Sequence, residues 1–274
     1  MFEDVVQKLK QTLTHKPEYS VTALDTDTPG SIAAVDGGAA ILWSNGIQSI
    51  GVVTAGFIVY NEDHSITHHK MWSQEVLLHN EEIDVYRIKA ELKAVAEAAQ
   101  LCDCVLFDGA LQDVPDTGFQ DIITGLNDVT VMGITKKTTL DTLHPGIPDT
   151  QTLNNPGVWY YKIPEKTIKT PFHLLGNVYI SRLHERGPSF RIDIRGDPLF
   201  GRLVYFSKYL FCLGYPYPLM EIHKATTLRD KKEYYQAELQ KTMVSHNLEK
   251  EYFSGVYHLE LEREEFHQVL DGLV

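Results

Sequence analysis

A mixed α/β fold, with a sheet flanked by helices, is predicted by three observations. Two apolar strand-like runs each end in an acid followed by glycine, at Ser31–Asp36 and at Cys102–Asp108. Between them, residues 82–100 carry the apolar spacing of a helix. Strand-like and helix-like segments alternate along the chain, the pattern of an α/β class. The 274 residues are 43% hydrophobic with a mean hydropathy of −0.20, enough for a sizeable core. A single domain spanning residues 1–274 is therefore expected.

The elements follow in order. Val5, Val6, Leu9 and Leu13 lie near helical spacing, so residues 3–14 form a short helix. Residues 16–30 are a polar lead-in closing on the turn signal Thr28-Pro29-Gly30. Residues 31–36 are a buried strand, which Gly37 and Gly38 are expected to end. Ile47–Tyr60 and Ser65–Trp72 flank a turn near Asn61-Glu62-Asp63 and read as an antiparallel pair. In the helix at 82–100, Val85, Ile88, Leu92, Val95 and Ala99 mark one face and Glu91 sits beside it.

A buried strand at 103–108, a helix at 118–126 and a strand at Val129–Ile134 come next, the last running into Lys136-Lys137. Pro145, Pro148, Pro156 and Pro164 make residues 138–166 a long Pro-rich loop, functional or mobile. Within it, Trp159-Tyr160-Tyr161 either stack on bases or anchor the loop to the core. Strands resume at Asn177–Leu183 and Phe190–Ile194. In the second, strict alternation is expected to place Arg191 and Arg195 on one polar face. Residues 199–213 read as a helix stopped by Gly214. Tyr215-Pro216-Tyr217-Pro218 is a rigid elbow, and a helix restarts near Leu219 and continues to about residue 247. There is no internal repeat or low-complexity tract.

Charge and cysteine content narrow the setting. A net charge of −12 argues against a basic exterior and against strong non-specific duplex binding by the isolated chain. A local positive groove remains compatible with it. The odd, sparse cysteines, Cys102, Cys104 and Cys212, fit a reducing cytoplasm, and the Cys-x-Cys pair reads as strand residues rather than zinc ligands. Met1–His15 is a charged amphipathic helix rather than a secretory leader, and no apolar run approaches the roughly 20 residues a bilayer requires. A cytoplasmic protein with no membrane partner is expected.

The chemistry-bearing residues are acidic. Asp36 and Asp108 end buried strands, and Glu91 lies on the helix between them. This strand–helix–strand order of acids is that of RNase H-like nucleases. Carboxylates converging from different elements repel unless a cation or a proton offsets them. Phosphodiester cleavage needs an activated water and a stabilised leaving oxygen, and two divalent ions roughly 4 Å apart supply both. The glycines after each Asp leave room for substrate, although Asp-Gly is also ordinary turn chemistry. His223, early in a late helix, can ligate a metal or carry a proton. His64, His68 and His69 read as solvated. No dinucleotide fingerprint, phosphate-binding P-loop, His-Glu-x-x-His or Gly-x-Ser-x-Gly motif is present.

Three segments together resemble the NurA nuclease family: Ala-Val-Asp36-Gly-Gly, Phe-Asp108-Gly-Ala-Leu, and Gly214-Tyr-Pro-Tyr-Pro-Leu-Met-Glu-Ile-His223-Lys-Ala. The resemblance runs from about residue 30 to 235, and the last segment is its most specific part. It implies an RNase H-like fold and a manganese- or magnesium-dependent DNase. Such an enzyme acts on single-stranded DNA as an endonuclease and on DNA ends as a 5′-to-3′ exonuclease. The resemblance also implies a homodimer that processes DNA ends with a HerA-type hexameric ATPase. Carried over by position, Asp36, Glu91, Asp108, Tyr215 and His223 form the catalytic set. Asp36, Glu91, Asp108 and His223 are its metal ligands, and Tyr215 positions the phosphate or leaving strand. The chain is short and acidic for the family, which suggests a reduced DNA-guiding segment or a basic partner.

Lys136, Arg191 and Lys224 are candidate phosphate contacts. Two other readings stand beside the nuclease. An actin-like ATPase or sugar kinase also opens on an Asp-Gly strand turn, but the second Gly-rich phosphate loop is missing here. A non-catalytic subunit docking on an ATPase ring would not need the acidic set. The N-terminal helix and residues 229–274 are candidate partner surfaces.

Overall fold

A computed structural model describes residues 2–14, 19–24, 27–153 and 155–263. An N-terminal helix α1 (Glu3–Thr14) and a two-residue strand β1 (Thr22–Ala23) precede the core. Three long strands follow, β2 (Ile32–Ser44), β3 (Gln48–Tyr60) and β4 (Ile66–His79), then helix α2 (Ile83–Ala98). Strand β5 (Cys104–Phe107), helix α3 (Phe119–Gly125), strand β6 (Thr130–Thr135) and a one-turn helix α4 (Asp149–Thr152) come next. Strands β7 (Trp159–Lys162), β8 (Asn177–Arg182) and β9 (Ser189–Arg195) complete the sheet. Helices α5 (Phe200–Phe206), α6 (Tyr217–Thr226), α7 (Lys232–Ser245) and α8 (Glu249–Arg263) follow.

Among the described residues, nine strands lie in one sheet, ordered β1-β7-β8-β9-β6-β5-β2-β3-β4. Strand β2 pairs antiparallel with β3 and parallel with β5, and β5 pairs parallel with β6. The remaining pairs are antiparallel. This is the mixed sheet flanked by helices that the sequence predicts, with the additional strands.

Both faces of the sheet centre are covered, because β2 and β3 present apolar side chains on alternating sides. Val53, Ala55, Val76 and Leu78 pack with Ala90 of α2 on one face. Leu42 and Val52 pack with Leu228 and α7 on the other. The core runs on through Val35, Leu92, Val95, Leu106, Met132, Leu219 and Ile222. Edge strand β4 is mostly exposed and carries His68, His69, Lys70 and Glu75, polar residues that discourage edge-to-edge pairing.

Several elements differ from the sequence reading. Gly37 and Gly38 do not end β2, which runs to Ser44, and β4 extends past Trp72 to His79. The Pro-rich stretch is not one loop. It holds α4 and β7, and buried Asp149 pins its turn by accepting from Thr142 Oγ1 and Leu143 N at 2.5 and 2.8 Å. Trp159 is 1% exposed in a small satellite core, so it anchors this region. The helix expected over 199–213 ends at Phe206, and a one-turn 3-10 helix, Leu210–Cys212, leads to Gly214 at φ +83°. The long helix after the elbow breaks at Thr227 into α6 and α7.

Candidate metal centre

Asp36 lies in the middle of β2, 5% exposed, on the face that α6 covers. Asp108 follows β5 directly, and its N–H donates to Val35 O at 3.3 Å, which holds the two acid-bearing strands in step. α6 crosses above them. His223 Nδ1 lies 2.9 Å from Asp36 Oδ2 and 3.7 Å from Asp108 Oδ2. One ligand atom from each of Asp36, Asp108 and His223 falls within 4.8 Å of the others. Thr226, one turn along α6, donates its hydroxyl to the same Asp36 oxygen at 2.9 Å. The hydrogen bond to Asp36 raises the His223 pKa against the opposing pull of its partial burial.

The two glycines after Asp36 serve two different helices. A Cβ on Gly38 would stand 2.5 Å from Thr226 O of α6. One on Gly37, on the other face, would stand 2.8 Å from Glu91 Cγ of α2. A pair of helices thus closes on one point of β2 because two consecutive side chains are missing. This close approach, rather than strand termination, is what the Gly-Gly pair provides.

Glu91 is fully buried where α2 meets Gly37. One carboxylate oxygen accepts from Arg87 Nη1 at 2.5 Å, and the other is buried with no hydrogen-bond partner. Burial pushes its pKa up to about 7, Arg87 opposes this, and the charges of Asp36 and Asp108 add to it. Glu91 is not within the tight Asp36–Asp108–His223 cluster.

Tyr215 lines the same site from the elbow before α6. Its hydroxyl is buried and makes no well-formed hydrogen bond, although Asp108 lies beside it. Burial and then that neighbouring carboxylate raise its pKa. Lys136, just past β6, sets its ammonium 2.6 Å from Asp108 Oδ2 and 5.0 Å from the Tyr215 ring centroid. Lys224 is exposed and paired with Glu221 at 3.3 Å. Arg191 differs from expectation. It is 5% exposed, and its Nε and Nη2 both donate to Asp193 at 2.7 Å, so the polar face predicted for β9 is a buried ion pair. Both faces of β9 are covered there, and Arg191 offers no donor on an open surface.

The donor set fits a hard divalent cation. Two carboxylates and an imidazole converge, and an unpartnered carboxylate oxygen is buried nearby. Sequence reasoning missed three contributors. Arg87 is the partner of Glu91 at i,i−4, a spacing that could have found it. Thr226 orients Asp36, and no local signal marks it. Arg229 helps to line a cavity of about 310 Å³ between His223 and Gly37–Ala40, and only the tertiary fold brings it there.

No protein-family model matches the chain, and no curated protein matches it in sequence. Solved structures do match. The chain is similar to the NurA nuclease from Sulfolobus solfataricus at 16% identity and a TM-score of 0.67, covering 90% of this chain and 94% of that one. A second NurA structure matches at 9% identity and a TM-score of 0.58, over 82% of this chain and 92% of the other. A NurA bound to dAMP and manganese matches at 10% identity and a TM-score of 0.52, over 83% and 90%. The chain has the fold of the NurA nuclease structures.

Proposed function

We propose that this chain is a divalent-metal-dependent DNA nuclease, a phosphodiester hydrolase of the NurA type. The observation that carries the reading is the convergence of Asp36, Asp108 and His223, from three separate elements, within 4.8 Å. Asp36 and Asp108 would hold manganese or magnesium, with His223 as a further ligand and Glu91 completing the site from the α2 side. Two ions would be held if the site works as a two-metal centre, with Asp36 and Asp108 shared between them. Bound there, the metal supplies an activated water and charge stabilisation.

The chain's own residues do the rest. Thr226 fixes the rotamer of Asp36. Lys136, whose ammonium lies 2.6 Å from Asp108 Oδ2, would pair with an arriving phosphate. Tyr215 presents a hydroxyl that stays protonated, so it donates to a phosphate oxygen rather than competing with it. Lys224, exposed on α6, would contact a flanking phosphate. Single-strand endonuclease and 5′-to-3′ exonuclease action, a homodimer and work beside a HerA-type hexameric ATPase in DNA end processing belong to the same proposal. Dependence on a basic partner accords with the net charge of −12.

The test is cleavage of end-labelled single-stranded DNA with manganese, magnesium or EDTA. Asp36→Asn keeps the shape and loses the charge, so activity should fall by more than about 100-fold with the fold intact. Full activity in that variant, or undiminished cleavage in EDTA, would overturn the assignment.

A further inference from the structure

A second cavity, of about 540 Å³, lies where the N-terminal end of α6 meets α5 and the β3–β4 turn, away from the metal cluster. It is walled by aromatic rings. His64 stacks on Tyr205 with centroids 4.8 Å apart and planes 27° apart. Tyr209 packs against Tyr217 with centroids 4.6 Å apart, and both line the cavity. Buried Tyr60 and Phe206 close the inner side. Asp27 and Lys208, ion-paired and partly exposed, also line it.

We propose that this cavity is a nucleobase subsite for single-stranded DNA. The inference rests on the nuclease reading for the identity of its ligand. A base has two apolar faces and a hydrogen-bonding edge. The cavity offers rings for the faces and, among its partly exposed lining, a carboxylate acceptor beside an ammonium donor for the edge.

Geometry links the cavity to the metal centre. Tyr217 opens α6 and His223 lies six residues on, about 9 Å along the axis at 1.5 Å per residue. The two side chains point about 120° apart around the helix, so the rings lie more than this axial distance from the cluster, and a base about two or three nucleotides from a phosphate held there would reach them. Tyr205 is held for this role, since its hydroxyl donates to Glu62 O at 2.7 Å. Tyr209 is 44% exposed, so its ring is accessible and its replacement spares the core.

The experiment measures binding in EDTA, where no metal-dependent cleavage occurs. Dissociation constants are determined by fluorescence anisotropy for a short oligothymidylate and for an abasic phosphodeoxyribose oligomer of equal length. The full chain is compared with its Tyr209→Ala and Tyr209→Trp variants. The wild type should prefer oligothymidylate by roughly 5- to 100-fold. Tyr209→Ala should close most of that gap, Tyr209→Trp should keep it, and all three should melt alike. An equal affinity for both oligomers in the wild type, binding of neither, or a gap unchanged in Tyr209→Ala overturns the proposal. A Tyr209-dependent gap in a protein that never cleaves would sustain the subsite and remove the nuclease reading. Cleavage without such a gap would do the reverse.

Discussion

Glu91 concentrates the electrostatic conflict of the site. Its carboxyl is buried, satisfied at one oxygen by Arg87 and faced by two other acids. A carboxyl with a raised pKa binds its proton more tightly folded than unfolded. The metal-free protein should therefore lose stability as pH rises from the ordinary carboxyl range through about 7. Glu91→Gln removes the titrating group. In EDTA at pH 8 it should be more stable than wild type by roughly 1–3 kcal/mol, with the difference vanishing near pH 4. Urea unfolding at the two pH values checks this, and equal stabilities at pH 8 would refute it. Tyr215 gives a cleaner separation of stability from function. Its hydroxyl makes no well-formed bond, so Tyr215→Phe should leave stability unchanged or raise it by up to about 1 kcal/mol. Slower cleavage at unchanged melting temperature would assign the hydroxyl to the phosphate. An unaltered rate would confine Tyr215 to packing against Phe190.

The elements were legible where one local signal decided them. The apolar stripe of α2, the β3–β4 hairpin and the buried β5 all read directly from residue spacing. They failed where tertiary contact overrode the local signal. Gly37 and Gly38 look like a strand end, yet α2 and α6 press on them from opposite faces and β2 continues. Prolines concealed β7, which survives because Trp159 is buried and pairs with β1 and β8. Arg191 alternates like a surface residue, but the sheet is covered on both sides and Asp193 neutralises it. Among the site residues, Asp36, Asp108 and His223 converge with Tyr215 beside them, although Asp36 does so from the middle of β2 and not from the strand end that its Gly-Gly suggested. Thr226 and Arg229 needed the fold. The glycine pair gives a test at this scale. Gly38→Ala forces a Cβ to 2.5 Å from a backbone oxygen, which no rotamer change relieves. It should destabilise by about 1–3 kcal/mol and move His223 off Asp36, costing metal affinity as well. Gly125→Ala, where a Cβ meets open space in α3, is the control and should be neutral or stabilising. Equal stability of the two variants would deny that β2 is pinched between helices.

At the scale of the whole molecule, the candidate metal centre joins parts distant in sequence. Asp36 comes from β2, Asp108 follows β5, and His223 arrives on α6 after the outer strands have been laid down. An unfolded chain holds no such constellation, so a cation that binds only the folded form stabilises it by mass action. At a free concentration 100 times the dissociation constant that stabilisation is about 2.7 kcal/mol. For a chain of this size it corresponds to a rise in melting temperature of about 5–10 °C. Manganese should produce this rise in the wild type, and EDTA should reverse it. Asp36→Asn/Asp108→Asn should not respond, although its own melting temperature identifies it as folded. The rise should shrink as pH falls, because protons compete with the metal for His223, whose pKa Asp36 raises. General screening of the net charge of −12 gives a different signature. It would raise the melting temperature equally in the variant and would be reproduced by monovalent salt at matched ionic strength. The difference between wild type and the double variant in manganese therefore isolates the site from the surface, with no appeal to cleavage.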